Sequence, residues 1–242
     1  MLFCKRRTLS VNDLRRVLRE RQSEIDEKKK CCRIMIIDDD IESEDYLLKE
    51  SIRYLQRTLM MDVRTFPDIE SFDDAKPFDI IVCDYEGVGR KIGLPDGIDL
   101  VKRLKDLYND KLFAIMSQET FYIRKLKMDK DILIWDKTEM SDAFRNSTPG
   151  KLEERVMDLV NVFADPASRW ESIRTRLLKR NMSIHDVARL ESAYVQSIIY
   201  KDKTYYDKAV GKLDSPSYDK DEQVLKYIKT AASIIGTIIS FI

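Results

Sequence analysis

The chain has 242 residues, 43% hydrophobic and 36% charged, and its 43 Lys and Arg are matched by 43 Asp and Glu. That length holds one large domain, or one of ordinary size plus extensions, and a net charge of zero gives no electrostatic ground for bulk binding to nucleic acid or acidic membranes. The opening MLFCKRR lacks the apolar core of a signal peptide, and Cys4, Cys31, Cys32 and Cys83 lack the spacing of a zinc cage; a cytoplasmic protein with reduced, mostly buried thiols is expected.

Residues 8–30 predict a helix: Ser10 is a capping residue, and Val11, Leu14, Leu18 and Ile25 recur near the helical period among many charges. This is read as an N-terminal helical arm over residues 1–30. Arg33–Ile37 is a continuous apolar run that ends in Asp38, Asp39 and Asp40. Helical spacing then predicts a helix over 42–59, followed by a strand over 61–66 closed by Pro67. A third strand over 78–83 ends at Asp84, a helix spans 98–107, and further strands cover 112–116 and 132–135. Strands that read as uninterrupted apolar runs are covered on both faces, as in a parallel sheet with helices on each side. The expected fold of residues 31–150 is therefore a doubly wound α/β domain with a five-stranded parallel sheet.

From residue 151 to 242 no strand is evident, and an all-helical C-terminal region is expected. Leu152, Val156, Leu159, Val160 and Phe163 share one helical face, stopped at Asp165 and Pro166. A basic helix follows over 169–180, and Ser183 caps a segment whose helical period runs straight across Ser192. That continuity speaks against reading residues 185–200 as a helix-turn-helix. The apolar tail over 231–242 is shorter than the ~20 residues needed to span a bilayer, so packing within the protein is favoured over membrane contact.

The strand ends carry the chemistry. In an open parallel sheet the carboxyl ends of the strands gather at one edge, which here brings together Asp38, Asp39, Asp84, Ser117 and Lys137. Three clustered carboxylates repel one another, and Mg²⁺ relieves this with one or two carboxylates, waters and phosphate oxygens. A carboxylate can take a phosphoryl group covalently, and a hydroxyl with an ammonium suits the charge spread over that group's oxygens.

The run IMIIDDD, FDIIVCD, LPDGIDLVKRLK, FAIMS and ILIWDK, in this order, resembles the receiver domain of two-component response regulators, a flavodoxin-like fold, over nearly half of the chain. The resemblance implies that Asp84 is the phosphoacceptor and that Asp39 and Asp84 bind Mg²⁺ directly. Asp38 would assist through water, and Glu86 would offer its backbone carbonyl. Ser117 and Lys137 would contact the phosphoryl oxygens, with Pro95, Asp96 and Gly97 opening the following helix. It further implies a histidine kinase or phosphotransfer domain as donor, a downstream protein partner and a switch that is not a turnover enzyme. A homodimer is left open, and nucleic acid is not expected. The alternatives are a degenerate receiver scaffold, a DNA-binding regulator or a membrane-acting effector. Four positions depart from the pattern. The loop after Asp84 is longer than usual and is read as loosened by Gly87, Gly89 and Gly93; Gln118 replaces a small residue and would slow exchange of the phosphoryl group. Thr138 stands for the usual proline, and Ile134 sits where the aromatic residue is expected, with Trp135 one place later.

Overall fold

The computed structural model describes residues 8–44, 46–119, 132–140, 151–213 and 221–241. In chain order the helices are α1 (Val11–Glu20), α2 (Gln22–Lys30), α3 (Lys49–Arg57), α4 (Gly97–Leu107), α5 (Lys151–Ala164), α6 (Pro166–Lys179), α7 (Ile184–Ile199), α8 (Thr204–Val210) and α9 (Glu222–Phe241). The strands are β1 (Arg33–Ile37), β2 (Asp62–Phe66), β3 (Ile80–Asp84), β4 (Leu112–Ser117) and β5 (Ile132–Asp136). The chain forms two compact units, Lys28–Phe163 and Met1–Glu27 with Ala164–Ile242.

The first unit is built on a five-stranded, wholly parallel sheet of order β2-β1-β3-β4-β5. This is the doubly wound, flavodoxin-like order, in which the chain turns back at β1 and β3. Alternation along each strand divides the core. Ile34, Ile36, Val82, Ala114, Met116 and Trp135 pack with Ile52 and Leu55 of α3 and with the apolar stripe of α5. Met35, Ile37, Ile81, Cys83, Phe113 and Ile115 pack with Ile98, Val101 and Leu104 of α4. Burial on both faces explains why these strands carry no polar alternation.

Two expectations are corrected here. The helix expected over 42–59 begins only at Lys49. Residues before it form successive turns, with Ile41 N–H donating to the Asp38 carbonyl and Ser43 N–H to that of Asp40. Tyr46 and Leu48 are drawn into the core from these turns, a tertiary demand that outweighs local periodicity. The division at residue 150 also moves: α5 belongs to the sheet unit, because Leu152, Val156, Leu159, Val160 and Phe163 bury their stripe on the sheet face beside α3. Helical spacing shows that a stripe needs cover, and leaves open which surface supplies it.

The second unit is helical, and α1 is part of its core. Val11, Leu14 and Leu18 pack with Trp170, Ile173, Leu190, Tyr194 and Val195. The backbone N–H of Leu9 donates to Ser192 Oγ at 3.2 Å, and Arg15 pairs with Glu171 at 2.7 Å. Instead of a separate arm over residues 1–30, the N-terminal helix completes the C-terminal bundle. Glu191 joins the pieces, accepting from Val11 N–H at 3.3 Å and from Trp170 Nε1 at 3.1 Å. Trp170 stacks on Tyr194 with centroids 4.9 Å apart, and the Tyr194 hydroxyl donates to the Pro166 carbonyl at 2.9 Å. Buried aromatics with satisfied polar atoms carry much of such a core.

Helix α7 runs unbroken across Ser192 and contacts α1, α6, α8 and α9. In α9, Val224, Ile228, Ala231, Ile234, Ile235 and Ile238 are buried in the same core. Among the described residues no helix is long and apolar enough to cross a membrane. Of the cysteines, Cys32 and Cys83 are buried and Cys31 is exposed; Cys4 lies outside the described residues.

Candidate phosphoacceptor site

The carboxyl ends of β1, β3, β4 and β5 bring Asp38, Asp39, Asp84, Ser117 and Lys137 to one edge of the sheet. Asp38, Asp84, Ser117 and Lys137 are buried, and Asp39 is exposed. Lys137 Nζ lies 2.7 Å from Asp84 Oδ2 and 2.9 Å from Asp38 Oδ2. It follows β5 directly and opens a single helical turn, Lys137–Met140. The turn is held because Asp136 accepts hydrogen bonds from Thr138 N–H at 3.0 Å and from its hydroxyl at 2.6 Å. Thr138 thus builds a side-chain turn at the position where a proline was expected, and the described residues contain no cis peptide bond.

The charges do not balance. Three carboxylates, those of Asp38, Asp39 and Asp84, have ligand atoms within 4.8 Å of one another, against one ammonium. Burial and the nearby Asp38 push the Asp84 carboxyl up to about 6, even though Lys137 and the Tyr85 N–H favour its charged form. Burial, Asp40 and Asp38 raise that of Asp39. Burial alone would lower the Lys137 ammonium, but its hydrogen bonds to Asp84 and Asp38 raise it, so it stays charged. The donor set is all oxygen, clustered and under-neutralised, which fits a hard divalent cation such as Mg²⁺. Asp39 and Asp84, which line the cleft, would hold it directly, with Asp38 behind them assisting through water, and Glu86 lines the same cleft.

Hydrogen bonding separates the roles of the acids. Asp38 Oδ2 accepts from the Tyr46 hydroxyl at 2.8 Å as well as meeting Lys137, and Asp38 Oδ1 accepts from Asp40 N–H at 3.2 Å. Burial and Asp38 raise the Tyr46 phenol further above its ordinary value, so it remains a neutral donor. Asp38 is thereby saturated by protein groups, whereas Asp39 faces the cleft. Asp84 Oδ1 accepts from Tyr85 N–H at 2.8 Å. Ser117 Oγ accepts from Glu119 N–H at 2.8 Å, which leaves its hydroxyl hydrogen available to a ligand. Asp39, Asp84, Glu86, Ser117, Gln118 and Lys137 all line a cleft of about 330 Å³.

Backbone packing beside the site has strict requirements. A Cβ on Gly97 would lie 1.9 Å from the Asp84 carbonyl oxygen, and Gly97 N–H donates to the Tyr85 carbonyl at 2.8 Å. Asp96 caps α4 by accepting from Asp99 N–H at 2.9 Å. A Cβ on Gly87 would lie 1.8 Å from Asp39 Oδ2, so the chain after Glu86 passes directly against that carboxylate. Gly87, Gly89 and Gly93 have φ of 75°, 81° and 77°. They do not loosen the loop; they give it the left-handed bends of a fixed shape.

Ile134 and Trp135 pack on opposite faces, Ile134 on the α4 side and Trp135 on the side of α3 and α5. Tyr46, Gly87 and Asp68 are the site-shaping residues that no motif announced. For Tyr46 the signal is its hydroxyl bond to Asp38, for Asp68 it is the hydrogen bonds its carboxylate accepts from Gly89 N–H and Lys91 N–H in the loop after Asp84, and for Gly87 it is a close approach that only the folded loop creates.

No family model matches the chain, and no curated protein matches its sequence. One solved structure resembles it, that of the two-component response regulator RcsB in complex with DNA. The likeness has 13% identity and a TM-score of 0.37 over 86% of this chain and 98% of the other; at that level it bears on neither activity nor partners.

Proposed function

We propose that the chain is a response-regulator protein whose sheet unit accepts a phosphoryl group on Asp84. The observation that carries this reading is the lysine that bridges Asp84 and Asp38 beside Ser117, at an edge where three carboxylates converge. A carboxylate oxygen of Asp84 attacks phosphorus, the bond to the donor breaks, and an aspartyl phosphate forms. Lys137 exchanges carboxylate partners for phosphoryl oxygens, and the Ser117 hydroxyl donates to another. Bound Mg²⁺ supplies charge neutralisation to the acids and to the incoming group. The donor is a histidine kinase or phosphotransfer domain, and the output is a change in protein contacts of the helical unit. The protein acts as a cytoplasmic switch and not as a turnover enzyme. A DNA-binding output through α7 is disfavoured because that helix runs unbroken across Ser192, without the turn that sets a recognition helix apart in a helix-turn-helix.

The test is incubation with acetyl phosphate and Mg²⁺, followed by intact-mass measurement. Wild type should gain one phosphoryl group that is labile to hydroxylamine, and Asp84→Ala should gain none. Equal behaviour of the two proteins would remove the assignment.

A further inference from the structure

The segment between β3 and α4 is a built element, and its construction has one evident product. The carboxylate of Asp68, just after β2, accepts from Gly89 N–H at 2.6 Å through Oδ1 and from Lys91 N–H at 3.0 Å through Oδ2. These are the residues on either side of Arg90. Left-handed Gly89 and Gly93 bracket the short turn Arg90–Ile92, and Leu94 N–H closes it onto the Gly89 carbonyl at 2.9 Å. Beneath it Val88 is fully buried, with Ile92 and Leu94 packed on the same core. One residue of that turn, Arg90, is exposed and lines the cleft with Asp39, Asp84, Ser117 and Lys137. Among the described residues it forms no ion pair, so its guanidinium is uncommitted, whereas Lys137 is already shared between two carboxylates.

Resting on the phosphoacceptor reading of Asp84, we infer that Arg90 is a second phosphoryl-binding cation, held over the cleft by the Asp68 clamp. A phosphoryl group adds about two negative charges to a cleft already lined by Asp39, Asp40, Asp84, Glu86 and Glu119. A guanidinium pairs with two phosphoryl oxygens at once, which a lysine ammonium does only as a point charge. Arg90 therefore binds the modified state selectively, and the clamped loop carries it. Asp68 acts through Arg90 as a positioning residue.

Beryllofluoride, a mimic of the phosphoryl group, provides the probe. It is titrated with Mg²⁺ onto the full chain and followed by calorimetry, and Mg²⁺ alone is titrated separately. Arg90→Ala should bind beryllofluoride roughly tenfold more weakly, the scale of one charge-assisted contact, with Arg90→Lys between it and wild type. Asp68→Ala should weaken binding in the same direction and add little to Arg90→Ala. Affinity for Mg²⁺ alone should be unchanged or higher, because a cation has been removed from its surroundings. Equal beryllofluoride binding by wild type and Arg90→Ala overturns this inference while leaving Asp84 as phosphoacceptor. A parallel loss of Mg²⁺ affinity in Arg90→Ala overturns it too, since the residue would then be shaping the acidic pocket. Failure of wild type to bind beryllofluoride at all sinks the Asp84 reading and this one with it.

Discussion

The sheet unit and the helical unit are both held by buried aliphatic and aromatic side chains, yet they are specified in different ways. In the sheet unit the decisive residues sit at the ends of strands, and β1, β3, β4 and β5 announce themselves as short apolar runs. The parallel pairing of β1 with β3 and of β3 with β4 then converts sequence order into proximity. In the helical unit the decisive contacts join the two ends of the chain. Leu9 meets Ser192 and Val11 meets Glu191, and no local pattern encodes either. The lesson is that periodicity specifies which face is buried, while partner choice is left to the shapes and polar atoms of distant segments.

That contrast can be broken by experiments on the bundle core. Leu14 and Trp170 are fully buried in one cluster, so Leu14→Ala should cost about 2–5 kcal/mol and Trp170→Ala about 3–5 kcal/mol. For Leu14→Ala, denaturation followed by Trp170 fluorescence should shift to lower denaturant. If residues 8–27 can be deleted with no loss of stability in the helices after Ala164, α1 is an arm after all. Glu191→Ala is the next largest, because it strands the Val11 N–H and the Trp170 Nε1–H together. Leaving buried donors unpaired costs about 1–3 kcal/mol, and the same chemical unfolding curve measures it. No effect would mean that water takes over both donors.

The sheet unit should respond in the opposite direction at Asp84. Its folded carboxyl titrates at about 6 against an ordinary 3.8, chiefly from burial and then from Asp38. The folded state thus holds the proton more tightly than the unfolded chain. The stability this confers is complete below about pH 4 and is lost as pH rises through 6. In metal-free buffer at pH 7, Asp84→Asn should therefore be more stable than wild type, by roughly 1–2 kcal/mol, with the difference narrowing toward pH 5. Melting curves across that range test it, and a destabilised Asp84→Asn would show that the Lys137 pairing outweighs the crowding of acids. The smallest expected effect concerns Gln118, which lines the cleft beside Ser117. Gln118→Ala should speed acquisition or loss of the phosphoryl group by a few-fold in time courses with acetyl phosphate, about 1 kcal/mol in barrier height. Unchanged rates would show that its amide stands clear of the approach.

Much of the site was legible beforehand because the chemistry is written at strand ends. An apolar run that stops at an aspartate, a serine or a lysine places that side chain at the carboxyl edge of whatever parallel sheet it joins. Asp38, Asp39, Asp84, Ser117 and Lys137 therefore needed only the sheet to be correct. Gly97 was legible as part of a helix-opening turn, although its close approach to the Asp84 carbonyl was not. Tyr46 looked like one more apolar position on a long helix, and its hydroxyl bond to Asp38 depends on the chain leaving helical geometry before Lys49. Asp68 followed a proline with nothing to suggest that it would clamp a loop some twenty residues later.

By itself the sequence determined the strand runs, the helical stripes, the capping residues and the set of polar groups available at the sheet edge, all of which follow from spacing and local stereochemistry. The tertiary structure decided that α5 covers the sheet, that α1 completes a bundle built from the other end of the chain, and that a glycine-rich loop is shaped into an arginine-bearing turn. Those outcomes depend on which apolar face and which hydrogen-bonding atoms meet once the chain has collapsed, a free-energy balance over pairs of residues far apart along the backbone.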